Sequence, residues 1–326
     1  MRRVILILVF AIFAVSCSRD HLYYGTDDRV LIELDIDWTV SQLTPNGVSV
    51  AAYNADGTLF GLFCSANPAL VKLLLPCGRY DLVIYNNTAD EFRNIAFRGV
   101  DRKSTYESYA NAKKSLSVRT TCPLVCEPDE VAVARVDGVE ITPDMVQYYY
   151  DRPQSDDQIA VRSIKVTPRR VVVRANIRAH VRGLCYAAGA PLVQLRNLSG
   201  SYLVGQGINV ANPVGYEFIM NNRTFDPGST ENGTISNRIS TFGLIDTRYS
   251  SKTKYYLDLD FVLIDGKHYP LSIDVTDKIT ERTTSLNLVI DVAVSIELPE
   301  VIGGGGGGAF DTDVDEWHDS DVPIEM

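Results

Sequence analysis

Hydrophobic and polar positions alternate through most of this chain. Val30, Ile32, Leu34, Ile36 and Trp38 alternate with Glu33, Asp35 and Asp37, a period of two that predicts a strand with one buried and one wet acidic face. Gly47–Tyr53 and Thr58–Phe60 flank Asn54-Ala55-Asp56-Gly57, whose Asp-Gly step predicts a hairpin because the turn requires positive φ. Leu73–Asn86 reads as strand, turn, strand, with Pro76 ending one ladder and Gly78 supplying the bend. The grammar restarts at Val171–Val181, where Arg174, Arg178 and His180 share one polar stripe. Tyr255–Leu263 leads through Asp265-Gly266 into Leu271–Thr276, a second hairpin, and Ser285–Leu298 alternates again.

Between about 101 and 160 the chain is more polar and less regular. Tyr106–Ser115 reads as a short helix and Glu130–Val136 as a strand before Asp137-Gly138. Pro153–Asp157 reads as a linker. Strands closing on one another in antiparallel pairs make an all-β protein. The expected division is a leader over 1–16, an N-terminal β-sandwich over 17–154, a C-terminal β-sandwich over 155–301 and a tail over 302–326.

The leader is an address. Arg2 and Arg3 precede the apolar run Val4–Val15, the layout of a secretory signal peptide. It is too short to span a bilayer, which takes about 20 apolar residues. Ala14-Val15-Ser16-Cys17 resembles the lipobox of bacterial lipoproteins, which implies peptidase recognition of Ala14, Val15 and Ser16, cleavage before Cys17 and acylation of its thiol. Each buried CH₂ of a palmitate-like chain contributes about 0.8 kcal/mol to membrane attachment. Ser18 follows where an inner-membrane retention signal would place Asp, so the resemblance implies an outer-membrane destination.

Composition narrows the chemistry. The 326 residues carry 31 Lys+Arg against 41 Asp+Glu, a formal charge of −10 that becomes −12 once Arg2 and Arg3 leave with residues 1–16. A nucleic-acid binder needs a basic face to neutralise phosphates, so that class is excluded. His21, His180, His268 and His318 form no metal spacing, and no Ser/His/Asp, P-loop or Rossmann pattern occurs. The reading is a non-enzyme with no metal and no cofactor. Beyond Cys17 the cysteines are Cys64, Cys77, Cys122, Cys126 and Cys185, an odd count that reads as packed thiols, with Cys64–Cys77 the first disulfide to test. Tyr148-Tyr149-Tyr150 reads as packing between the two domains, with sugar stacking as the alternative.

The tail joins six glycines, Gly303–Gly308, to an acidic segment carrying Phe310, Val314 and Trp317. It reads either as a donor that docks on another subunit through those three residues, or as a solvated segment or strap on its own domain. Asp311-x-Asp313-x-Asp315 starts like a calcium loop, but its sixth position is Glu316 and its twelfth is Val322, where glycine and a bidentate acid belong.

In order along the chain, Cys17, Asp35-Ile36-Asp37-Trp38, Leu75-Pro76-Cys77-Gly78-Arg79-Tyr80 running to Tyr85-Asn86-Asn87, Phe261-Val262-Leu263 with Asp265-Gly266, Ile273-Asp274-Val275-Thr276, and the glycine run before Phe310–Trp317 resemble the two-domain fimbrillin-like lipoproteins of Bacteroidetes. The resemblance covers nearly all of the mature chain. It implies two transthyretin-like β-sandwiches in series, a flexible Gly-rich acidic tail, and partners among other fimbrial subunits recruited by β-strand addition. Stalk subunits of such fimbriae are trimmed at an Arg. Here neither Arg19 nor Arg29 is marked as a cleavage site, and the first strand starts too near Cys17 to leave much to trim. An anchor or accessory subunit of a pilus is therefore the expected function, and a surface glycan- or host-ligand-binding lipoprotein the alternative.

Overall fold

The computed structural model describes residues 29–116, 122–151, 160–248, 252–283 and 288–301. The strands are, in the first part, β1 (Arg29–Ile36), β2 (Val48–Asn54), β3 (Leu59–Ser65), β4 (Leu70–Pro76) and β5 (Gly78–Asn86). Then follow β6 (Ile95–Arg98), β7 (Glu107–Ala110), β8 (Leu124–Val125), β9 (Ala132–Ile141), helix α1 (Pro143–Asp151), β10 (Arg162–Val166) and β11 (Arg169–Arg170). The remainder comprises β12 (Val173–Arg182), β13 (Leu192–Ser199), β14 (Ser201–Leu203), β15 (Ile208–Asn209), β16 (Pro213–Ile219) and β17 (Asn222–Phe225). It ends with β18 (Gly233–Thr241), β19 (Tyr256–Val262), β20 (His268–Asp274), β21 (Ile279–Thr283) and β22 (Leu288–Glu297).

The protein is all-β in paired sheets. A three-stranded sheet, β10-β1-β4, faces a five-stranded one, β11-β9-β5-β2-β3. Val30, Ile32, Leu34, Ile36 and Trp38 pack there against Val48, Val50, Leu82 and Ile84, as the alternation around β1 predicts. The second half pairs β17-β18-β12-β22-β21 with β20-β19-β13-β16-β8. Its core interleaves Ala175, Ile177, Ala179 and Val181 with Val193, Leu195, Phe218, Leu257 and Phe261. The predicted turns form at Gly57 and Gly266, with φ of 79° and 78°.

Four regions depart from the expectations. Asp137-Gly138 does not end a strand: both residues lie within β9, which continues its pairing with β5 to Ile141. Tyr106–Ser115 is not a helix: Glu107–Ala110 is β7, paired with β6 and β14. Tyr148–Tyr150 lie on α1 rather than between the domains. Tyr149 packs against the first core, whereas Tyr148 and Tyr150 are exposed. The expected join at 154/155 falls outside the described residues. Beyond it, β10 still pairs in parallel with β1 and β11 with β9, and the second pair of sheets takes over at β12.

A fifth sheet, β15-β14-β7-β6, draws two strands from each half of the chain. It covers the outer face of the first five-stranded sheet, which explains a pattern alternation cannot give: Val48–Tyr53 is buried throughout. Val50 and Ala52 face the first core, whereas Ala51 and Tyr53 face a cluster continuous with the second.

Candidate interaction surfaces

The three-stranded sheet offers a first surface. Among the described residues β4 pairs with β1 alone and β10 with β1 alone, so both outer edges present unpaired N–H and C=O groups. The sheet opposite is two strands wider, and Phe60 and Phe63 of β3 reach past β4's side of the layer to pack on the shared core. On β4, Val71, Leu73 and Leu75 point inward while Lys72 and Leu74 point to solvent. Such an edge can template an added strand.

Where the halves meet, polar side chains fix the contact. Lys103 Nζ donates to Asp81 Oδ2 at 2.7 Å and to Asp137 Oδ1 at 2.6 Å, and the Gly138 amide donates to Asp81 Oδ1 at 2.8 Å. Burial alone would raise the Asp81 carboxyl, but the hydrogen bonds from Lys103 and Gly138 outweigh it and hold it below its ordinary value. Gln206 Nε2 of the second half donates to Ser104 O at 2.6 Å. Gly205 lies so close that a Cβ there would stand 1.8 Å from Lys103 O.

A second polar anchor is Glu217 on β16, only 3% exposed. It accepts from Gln194 Nε2 at 2.8 Å, from Ser115 Oγ at 2.9 Å and from the Leu116 amide at 2.9 Å. Lys113 Nζ donates to its backbone oxygen at 2.7 Å. The segment before β8 is thereby fastened to the second half, and β8 itself runs parallel to β16 at Gly215 and Tyr216. No motif in the sequence marks Glu217 for this task; only its place in a strand of otherwise apolar inward residues, Val214, Tyr216 and Phe218, hints at a buried partner.

The remaining candidates divide simply. Cys17, the recognition residues Ala14, Val15 and Ser16, and the tail residues Phe310, Val314 and Trp317 lie outside the described residues. Cys64, Cys77, Cys122, Cys126 and Cys185 are free thiols. Cys64 Sγ sits 3.5 Å from Ser49 Oγ, while Cys77 Sγ donates to Ile141 O at 3.2 Å. His180 and His268 meet Asp226 and Asp260 in separate pairs at 2.9 and 3.0 Å. Among the described residues no three His, Cys, Asp or Glu side chains converge to hold a metal, and no helix is long and apolar enough to cross a membrane.

Stacked β-sheets in two paired layers define an all-β sandwich architecture. The chain belongs to the family described as a domain of unknown function, DUF5119, which matches residues 16–218. It is 25% identical over 345 residues to a Bacteroides ovatus protein named for fimbrium anchoring, Fim4B, a match covering 97% of this chain and 96% of that one. Among solved structures it resembles an adhesin from Bacteroides ovatus at a TM-score of 0.55 and 22% identity, covering 87% of this chain and 98% of that one. It also resembles the fimbrial anchor protein Mfa2 from Porphyromonas gingivalis at a TM-score of 0.50 and 13% identity, covering 82% and 90%. These structures share its fold.

Proposed function

We propose that the protein is a structural subunit of a fimbrium, an anchor or accessory component held at the outer membrane and joined to its neighbours by β-strand addition. The observation that carries the reading is the three-stranded sheet in which, among the described residues, β4 and β10 each pair with β1 alone while the sheet opposite is wider. An extended segment from a neighbour would satisfy those backbone groups, and pockets between alternate side chains would select it. The end-to-end match with a relative named for fimbrium anchoring supports the same role.

The anchor is Cys17, acylated after cleavage guided by Ala14, Val15 and Ser16, and the two transthyretin-like sandwiches expected over 17–154 and 155–301 divide after β11 rather than at 154. Beyond them residues 302–326 form a tail, and Phe310, Val314 and Trp317 are the positions it offers to another subunit. Pull-down from outer membranes followed by mass spectrometry tests the reading. Fimbrial subunits should copurify with the wild-type chain, and Cys17→Ser should shift the protein to the soluble fraction. An outer-membrane protein that brings down no polymer subunit would refute it. A second reading, a glycan-binding surface lipoprotein, draws on the exposed Tyr148 and Tyr150 rings. Retention on an oligosaccharide with no polymer would favour it.

A further inference from the structure

The polar stripe seen in the sequence at Arg174, Arg178 and His180 lies on the outward face of the five-stranded sheet built around β12. Val173, Ala175, Ile177, Ala179 and Val181 are buried, which turns Arg174, Asn176, Arg178, His180 and Arg182 outward. Strand pairing sets Asn176 beside Arg238 of β18 and beside Asp291 of β22, and sets Arg178 beside Ser236 and Ala293. Small residues at the centre and long ones at the sides leave a trough of about 500 Å³, lined by Asn176, Arg178, Asn222, Ser236, Arg238 and Arg282. A second hollow of about 430 Å³ adjoins it at Arg178 and reaches His180 and Lys278.

Three of the acids near this face are already engaged, whereas Glu297, which stands beside Arg182, has no ion-pair partner among the described residues. Asp291 accepts from Asn176 Nδ2 at 2.8 Å and pairs with Arg282 at 2.8 Å, Asp226 meets His180, and Glu130 takes Arg170 and Arg174. Arg238 donates only to the Asn176 amide oxygen, at 2.9 Å. Arg178, Arg182, Arg238 and Lys278 have no carboxylate within ion-pair distance among the described residues. A chain of formal charge −10 thus keeps a face of unneutralised cations.

We propose that the occupant of this face is the chain's own acidic tail, with the carboxylates of Asp311, Asp313 and Asp315 lying over Arg178 and Arg238. The last strand points the tail to the place. β22 runs parallel to β12, its Glu297 stands beside Arg182, and the Leu298 amide donates to Arg182 O at 3.0 Å. Asp311 follows Val301 by ten residues, six of them glycine. A flexible linker of that length has a root-mean-square span of about 17 Å. Arg178 lies four positions back along β12 from Arg182, about 13 Å. Val301 lies three residues beyond Leu298, and ten residues reach about 33 Å when extended, so the tether can fold back to Arg178, which gives the tail an effective concentration on the order of millimolar at the face. The spacing matches as well: Asp-x-Asp-x-Asp repeats every two residues, as do Arg178 and Asn176, the position that Arg238 stands beside. In an extended segment Phe310 and Val314 point away from the carboxylates and stay free for the role proposed for them above, whereas Trp317 lies on the carboxylate side and is held by the clasp.

The two tryptophans, Trp38 in the first core and Trp317 in the tail, provide the test. The full chain, labelled with 5-fluorotryptophan and held in detergent, should show two ¹⁹F resonances of similar breadth at low salt. In about 1 M NaCl, where the Debye length is about 3 Å, the Trp317 line should narrow several-fold while that of Trp38 stays unchanged. The double variant R178E/R238E should narrow it at low salt, and K165E, on the distant β10, should not. The Trp38 line reports that each variant is folded. A Trp317 line that is narrow in the wild type, or that ignores the double variant, overturns the proposal. A line that narrows on dilution overturns it too, because the tail would then be binding a second copy.

Discussion

The hydroxyls of Tyr85 and Tyr106 lie 2.9 Å apart, both buried, at the seam where the first five-stranded sheet meets its mixed cover. Tyr53 and Phe97 pack against the same pair. Burial pushes the phenols of Tyr53, Tyr85, Tyr106 and Tyr216 above their ordinary value. Each contributes stability that is fully present below the unfolded value of about 10 and lost as pH rises above it, because only the unfolded chain can ionise freely. The urea midpoint should hold steady to about pH 9 and fall steeply beyond about pH 10. Tyrosine absorbance should show ionisation coinciding with unfolding. Tyr106→Phe, which leaves Tyr85 without this partner, should cost about 1 kcal/mol in the same assay.

Glu217 should prove structural. Glu217→Ala removes one acceptor from each of the Gln194 amide, the Ser115 hydroxyl and the Leu116 N–H, a loss of about 1–3 kcal/mol in urea unfolding. Hydrogen exchange at the Leu116 amide should accelerate more than exchange at the β19 amides, since the segment before β8 is released first.

Close packing between the halves can be probed by a single methyl group. Gly205→Ala would set a Cβ against the Lys103 carbonyl and should cost about 1–3 kcal/mol, with the Lys103–Asp81 contact disturbed. Gly189→Ala meets nothing within 4 Å and serves as the comparison, with a change within about 0.5 kcal/mol. Thermal unfolding of the two variants separates a junction effect from a generic glycine effect.

The thiols should be dispensable. With Cys64 and Cys77 exposed and contacting different groups, the double variant C64A/C77A should change stability by less than about 1 kcal/mol. Reductant should leave the melting temperature of the wild-type chain unchanged. A large drop on reduction would reveal a disulfide.

What was legible in the sequence was local. Alternation located β1, β12, β19 and β22, and the Asp-Gly steps at Gly57 and Gly266 located turns whose φ they permit, whereas Asp137-Gly138 is an irregularity within β9 rather than a turn. Pairing between distant segments was not legible. Ser108 on β7 meets Tyr202 on β14, a partnership no neighbouring residue announces, so a polar stretch read as a helix became a strand. The same cover buries both faces of β2, so Val48–Tyr53 lost the alternation that marks a one-sided strand. Helix α1 carried a signal that passed unread: Thr142 Oγ1 accepts from the Met145 amide, Pro143 opens the first turn and Asp144 follows. Of the candidate surfaces, only the Arg174–Arg178–His180 stripe could be foreseen, because outward spacing is a local property whereas Glu217 owes its role to a segment a hundred positions away.

The parallel pairing of β1 with β10 and of β12 with β22 has a mechanical consequence. Tension applied between Arg29 and Val301 enters the first unit at the start of β1 and leaves beyond the end of β10. It enters the second at the start of β12 and leaves at the end of β22. Strands that run side by side and are drawn from opposite ends slide in shear, so their hydrogen bonds share the load rather than opening one after another. Nine residue pairs join β12 to β22, from Arg174–Val289 to Arg182–Glu297. The chain is strung so that a steady pull along its length meets the β12–β22 ladder broadside.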